Sequence, residues 1–196
     1  MTRGDLIGTI ARLQVQRYPI KLKGEAYLHE GILQVERAAI DAWGMVGWHD
    51  DAWIIDTHHH AHPSRRGGGK RSLSVGFTGH YELMEERFGS APIGIAGENI
   101  IVDGPPLSLS QMGEGLVIDS SAGIDVMLVR PRVAAPCVEF TSFMLGLDHV
   151  APREEIQAPM ADLHDGRRGF IVAADHTTKP AELRSGDKVY AMVDDV

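Results

Sequence analysis

The side chains best suited to covalent or metal chemistry lie in two places: a lone thiol at Cys137, and the run Asp56-Thr57-His58-His59-His60-Ala61-His62. As the only cysteine, Cys137 forms no intramolecular disulfide and no multi-cysteine zinc or iron–sulfur site. It acts alone or with other residue types. Pro136 stiffens the approach to it, and Phe140, Phe143, Met144 and Leu147 follow at the i, i+3, i+4, i+7 spacing of an amphipathic helix running from Val138 to about Leu147. That spacing puts the sulfur at a helix N-terminus, where peptide dipoles favour thiolate and Arg130 and Arg132 add positive charge. A buried, inert thiol is the commoner fate of a free cysteine, and local sequence leaves both readings open.

In an extended chain His58, His60 and His62 share one side, a spacing that can hold a metal ion. The segment resembles the strand-borne His-x-His of amidohydrolases, where two imidazoles, with a later lysine and acid, position a metal-bound hydroxide against an amide or ester. A metal-dependent hydrolase is therefore an alternative reading. That family uses a (β/α)₈ barrel of about 250 residues, whereas this chain has 196 and lacks the strand–helix rhythm. A solvated histidine tract that binds metal without function is the plainer account.

The elements that must position these groups read mainly as strands, with a few helices. Hydrophobic residues make up 43% and charged residues 23%, enough apolar content for a core and a length suited to one domain over 1–196. Ile7 to Gln16, Leu73 to Phe77, Asn99 to Val102, Leu116 to Asp119, Ile124 to Val129, Gly169 to Ala174 and Lys188 to Val193 are expected strands, punctuated by many of the 22 glycines. Thr78 is placed to cap a helix through Phe88, stopped at Gly89, and Pro152 to start another, kinked by Pro159 and ending at Gly166. Asp56 to Lys70 reads as a long mobile loop, and residues 21–55 fit either a strand pair or a short helix.

With 19 basic residues against 27 acids, the net charge of -8 disfavours a nucleic-acid polymer as partner. No stretch approaches the roughly 18 apolar residues of a membrane span and no secretory leader follows the first residues, so neither a membrane nor export is expected. The expected location is cytoplasmic.

Four segments, in order, resemble the MOSC domain, the module found at the C-terminus of molybdenum cofactor sulfurases and as stand-alone bacterial proteins. Asp56-x-His58-His59 is similar to its Gly-Asp-x-His segment, with isoleucine before the aspartate. GENI at Gly97 to Ile100 resembles its Gly-Glu-Asn strand. Arg132 through Cys137 is similar to its Arg-x-Pro-Cys turn, with two alanines between Val133 and Pro136. Gly166 to Phe170, then Leu183 to Val189, resemble its closing strand and Gly-Asp hairpin.

The resemblance implies a closed or partly open β-barrel-like fold, with Cys137 as molybdenum ligand or persulfide carrier; a soft thiolate suits both roles. It also implies bound molybdenum cofactor, whose molybdopterin phosphate needs cations. Candidates are Arg130, Arg132, Lys70, Arg65, Arg66 and Arg168, each otherwise an ordinary solvated side chain. Glu98 and Asn99 either line the pocket or anchor a tight turn. Some family members reduce N-hydroxylated bases and amidoximes, which here implies a small-molecule substrate and a separate electron-donor reductase, since the chain shows no flavin, haem or iron–sulfur motif. A sulfur-relay role implies a cysteine desulfurase as donor, and a delivery module without turnover is a further alternative. Pyridoxal phosphate belongs to the sulfurase domain and is not expected here.

Overall fold

Strand β1 (Thr2–Gln16) is the longest element and organises the rest. The computed structural model describes residues 2–64, 72–175 and 179–193. After β1 come β2 (Ile32–Val35), β3 (Arg37–Asp41), β4 (Gly44–His49), β5 (Ala52–Ile55), β6 (Leu73–Phe77), β7 (Ile100–Asp103), β8 (Gly115–Asp119), β9 (Asp125–Val133), β10 (Phe170–Ala174), β11 (Ala181–Arg184) and β12 (Lys188–Val193). The helices are α1 (Thr78–Phe88), α2 (Leu109–Met112), α3 (Val138–Met144) and α4 (Gln157–Asp162).

One end of β1 pairs with β12 and the other with β7 and β2, which closes the circuit β1-β12-β8-β9-β10-β6-β7 into a seven-stranded barrel. The barrel is closed, without the open edge that the sequence reading also allowed. Among the described residues only β6 and β7 pair in parallel. A bulge in β1 between Ile10 and Arg12 shifts the register against β7. Such an extra residue flips side-chain parity, so Ile10 and then Leu13 and Val15 all enter the core. The other strands alternate as half-buried strands must. Ile100 and Val102 of β7 point inward, while Ile101 points outward beneath Tyr81 and Met84 of α1 and Phe140 and Met144 of α3.

Residues 21–55 resolve into β2 to β5 and a 3₁₀ turn at His29–Gly31. Strands β3, β4 and β5 join β11 in a second sheet, ordered β11-β3-β4-β5, whose Ala38, Ile40, Met45 and Leu183 share the barrel's core.

Helix α1 spans the expected residues and stops at Gly89 with φ 82°, but Phe77 is its N-cap. Thr78 is already helical, and its hydroxyl donates to Asp103 and accepts from the Gly104 N–H instead. Helix α3 ends at Met144, short of Leu147. Helix α4 begins at Gln157 rather than Pro152, so Pro159 falls in its first turn, where no intrahelical acceptor awaits an N–H, and introduces no kink. The Ser185-Gly186-Asp187 turn closes no hairpin: β11 pairs with β3 and β12 with β1 and β8, so the turn carries the chain between sheets. Asp187 holds that corner by accepting from the N–H groups of Ser121 and Arg184. Among the described residues no helix is long and apolar enough to cross a membrane.

Candidate functional site

Inward-facing Leu73, Val75, Phe170 and Val172 leave Ser74 of β6 and Ile171 of β10 on the barrel's outer surface, and these two are direct partners in register. Over them lies a cavity of about 270 Å³. Its walls come from Gln16 and Lys21 at the end of β1 and beyond, His58 from the turn after β5, Glu98 just before β7, and Ala134 and Arg168 flanking α3 and α4.

Glu98 is only 2% exposed. Its Oε2 accepts a 2.5 Å hydrogen bond from the Tyr81 hydroxyl, while Oε1 has no partner. A side chain at position 76 or 169 would crowd that oxygen: a Cβ on Gly76 would stand 2.6 Å from Oε1 and one on Gly169 3.0 Å from it. Burial raises the Glu98 carboxyl above its ordinary range; the Tyr81 hydrogen bond, its own backbone N–H, Arg168 and Lys21 pull the other way.

Arg168 is 3% exposed, and its guanidinium lies 4.5 Å from the centre of the Phe140 ring. Its Nη1 donates to the Ala135 carbonyl at 3.0 Å and reaches Cys137 Sγ at 3.6 Å, whereas its buried Nε has no partner. Lys21 lines the same cavity. The Arg168 charge, followed by partial burial, pushes its ammonium down to about 8.

Cys137 is half-buried at the N-cap of α3 with extended backbone. Its carbonyl accepts from the N–H and hydroxyl of Thr141, at 3.0 and 2.8 Å, which fixes the turn that presents the sulfur. Cys137 does not itself line the cavity; Arg168 links the two.

A second carboxylate organises the floor. Asp56, fully buried, accepts at Oδ2 from Gln16 N (2.8 Å) and Asn99 Nδ2 (2.9 Å). Its Oδ1 meets His58 N at 2.8 Å and His58 Nδ1 at 2.9 Å. Asn99 Oδ1 in turn accepts from the backbone N–H and hydroxyl of Ser74, both at 3.1 Å. With Nδ1 engaged, Nε2 is the ring nitrogen that His58 has available to the cavity.

Of the residues expected from sequence, Glu98, Arg168 and His58 meet at the cavity, and Cys137 adjoins it. Asn99 is an anchor, the second of the two roles open to it. Arg130 is exposed on β9 with φ 56° and borders a separate surface depression with Glu114 and Asp175. Arg132 is exposed opposite Ile171, at the rim of the sheet face that carries the cavity. Arg65, Arg66 and Lys70 lie outside the described residues.

The histidine segment is turned, not extended, so His58, His60 and His62 do not share a side. His60 stacks on Trp43 at 4.9 Å, and His62 Nε2 lies 3.3 Å from the Arg17 carbonyl. Among the described residues no group of three histidine, cysteine or acidic side chains is arranged to hold a metal ion. Lys21, Gln16 and the Tyr81 hydroxyl were missed from sequence, where Tyr81 counted only as a core position of α1.

The family model of the MOSC domain matches residues 56–190. This chain belongs to the MOSC domain family. The match spans the Asp56 turn, Glu98, the Cys137 turn and Arg168, whereas Gln16 and Lys21 of the cavity wall precede it. The MOSC domain is associated in general with molybdenum cofactor binding. Among solved structures, the YUAD protein from Bacillus subtilis is 15% identical, with a TM-score of 0.59 over 96% of this chain and 97% of that one. YiiM from Escherichia coli is 17% identical, with a TM-score of 0.51 over 96% and 72%. YiiM from Geobacillus stearothermophilus is 16% identical, with a TM-score of 0.52 over 94% and 74%. At these identities the likeness is one of fold. No curated protein matches the sequence.

The residues present suit the family's cofactor. The unpartnered Nε of buried Arg168 and the ammonium of Lys21 offer cationic donors for a phosphate, and the thiol beside Arg168 is a soft donor for a metal.

Proposed function

We propose that this MOSC domain binds the molybdenum cofactor at the Glu98–Arg168 cavity, or relays sulfur for it, with Cys137 as metal ligand or persulfide carrier. One observation carries the reading. Arg168 is a buried guanidinium that lines a cavity of ligand size, touches the thiol with one nitrogen and leaves another, buried, without a partner. An unpaired buried donor costs free energy, and a phosphate oxygen in the cavity would relieve that cost. Lys21 adds a second cation at the mouth, and His58, oriented by Asp56, adds a third hydrogen-bonding group. The cofactor, when bound, supplies two-electron redox chemistry at molybdenum.

The substrate class proposed is an N-hydroxylated small molecule, reduced with electrons from a separate reductase. In the relay variant a cysteine desulfurase supplies the sulfur. The hydrolase reading gains nothing from the turned histidine segment.

The test is elemental analysis of protein expressed in a cofactor-competent host. Wild type should carry molybdenum and Cys137→Ser should lose it; equal loading of the two would overturn the thiol's role. Reduction of an N-hydroxylated purine with a chemical electron donor then separates a reductase from a delivery module, which would show no turnover.

A further inference from the structure

Among the described residues, Glu98 is the one titratable group lining the cavity whose chemistry the proposed binding of the cofactor does not use. Its burial, its orphaned oxygen and its glycine-lined slot call for an explanation. A buried carboxylate without a partner on one oxygen is costly, and protein interiors rarely tolerate one unless a ligand completes it or a proton neutralises it. Tyr81 determines which oxygen would carry that proton. Its hydroxyl accepts from the Ala96 backbone and donates to Oε2, so a proton on the carboxyl belongs on Oε1, the atom with no partner.

The geometry points to Glu98 as the proton donor of the cavity, holding a proton on an Oε1 that is closed to solvent in this structure and bringing it to a bound ligand by rotation of the carboxyl group. The inference rests on the reductive reading of this site. In that reaction an N-hydroxylated substrate takes up two electrons from the separate reductase and two protons. The N–O bond breaks, the nitrogen keeps its carbon substituent and becomes an amine, and the oxygen departs as water. Glu98 gives one of the two protons to the departing oxygen, and solvent restores it.

The charged and titratable groups around Glu98 come from every wall. Arg12 belongs to β1, Lys21 and Tyr27 to the segment after it, His58 to the turn after β5, Tyr81 to α1, and Arg168 to the approach to β10. Burial, the largest influence, raises the carboxyl; Tyr81, the Glu98 backbone N–H, Arg168 and Lys21 oppose it. Neither cation hydrogen-bonds Oε1. A neutral Glu98 also leaves Arg168 and Lys21 uncancelled, which suits a cavity meant for a phosphate.

Infrared difference spectroscopy on the metal-free full chain reads the proton directly. Wild type should show a carboxyl C=O band that persists above the ordinary glutamate range and is absent from Glu98→Gln. Tyr81→Phe removes the hydrogen bond that favours the carboxylate, so the band should titrate at higher pH. A band that disappears in the ordinary glutamate range, or one that Tyr81→Phe does not move, overturns the inference without any activity being measured. On molybdenum-loaded protein, Glu98→Gln should retain the metal yet reduce turnover about 100-fold or more, within the usual range for a lost general acid. Wild-type turnover in a loaded Glu98→Gln also overturns it. Absence of molybdenum from wild type would instead defeat the reading of the site, and the infrared titration would still decide Glu98.

Discussion

Acid should destabilise this barrel through one histidine. His80 of α1 is 2% exposed and lies 5.8 Å from the Phe77 ring and 5.9 Å from the Phe170 ring, between centroids. It hydrogen-bonds the backbone of Leu107, and its Nδ1 has no partner. Burial, helped by the charge of Arg167, pushes the imidazole down to about 4 from an ordinary 6.5. The unfolded chain therefore binds this proton at a higher pH than the folded one. Above 6.5 His80 contributes no pH dependence; stability then falls as pH drops from 6.5 toward 4, because protonation favours the unfolded state. At about 1.4 kcal/mol per pKa unit the full effect is roughly 3 kcal/mol. Urea unfolding of wild type and His80→Leu at pH 7 and pH 4 measures it. Carboxylates titrate in both proteins, so the quantity of interest is the difference between them. The wild type should lose roughly 3 kcal/mol more than the variant over that interval. Equal losses would mean that His80 is protonated in the folded state at ordinary pH, and that the aromatic setting does not exclude the charge.

Lys21 titrates at about 8 because of the Arg168 charge, so sulfate, whose own charge is constant over this range and which serves as a calorimetric probe of the cavity, should bind more weakly at pH 9 than at pH 7 in wild type. In Lys21→Arg it should bind equally at both; a parallel loss in the two would show that another group controls the anion. Asn99→Ala removes the amide that holds Asp56 and Ser74, leaving buried groups unpaired at a cost of roughly 1–3 kcal/mol in urea unfolding. A change within experimental error would argue that water replaces the amide and that the network does not fix the floor of the cavity.

The barrel was legible because most of its strands are buried on one face, so apolar and polar residues alternate visibly, as in Ile100-Ile101-Val102 and Phe170 to Ala174. Helices α1 and α3 were legible from the apolar spacing of Tyr81, Met84, Phe140 and Met144. Residues 21–55 gave no such contrast. Gly47 of β4 lies so close to β1 and β2 that a Cβ there would meet Val35 at 2.6 Å and Val15 at 3.0 Å. Small residues such as Gly47 and Ala38 take the place of large apolar ones at several points of that sheet, and the bulky Trp43 and Trp53 are 54% and 43% exposed. The site was legible only in part. Cys137, Glu98 and Arg168 could be singled out as rare or motif residues, but a lysine in an irregular segment looks like any solvated lysine, and only the folded chain brings Lys21 to Arg168.

The Asp-x-His and Gly-Glu-Asn strings lie some forty positions apart, and the structure gives a physical reason for their occurring together. The Asp56 carboxylate receives hydrogen bonds from the ends of three segments: β1 through Gln16, the residues before β7 through Asn99, and its own turn through His58. Removing any one would leave a buried carboxylate short of a hydrogen bond. The neighbouring pair Glu98-Asn99 leads into β7 with a bend at Asn99, and the two side chains part there. Asn99 is thus committed to the Asp56 hub, and Glu98, one position away, must turn to the other side, between Gly76 and Gly169 and into the cavity. The hub fixes the register of the strand, and the register aims the acid. A change that loosened Asp56 would therefore be expected to disturb the Glu98 proton although the two carboxyl groups face different sides of the chain.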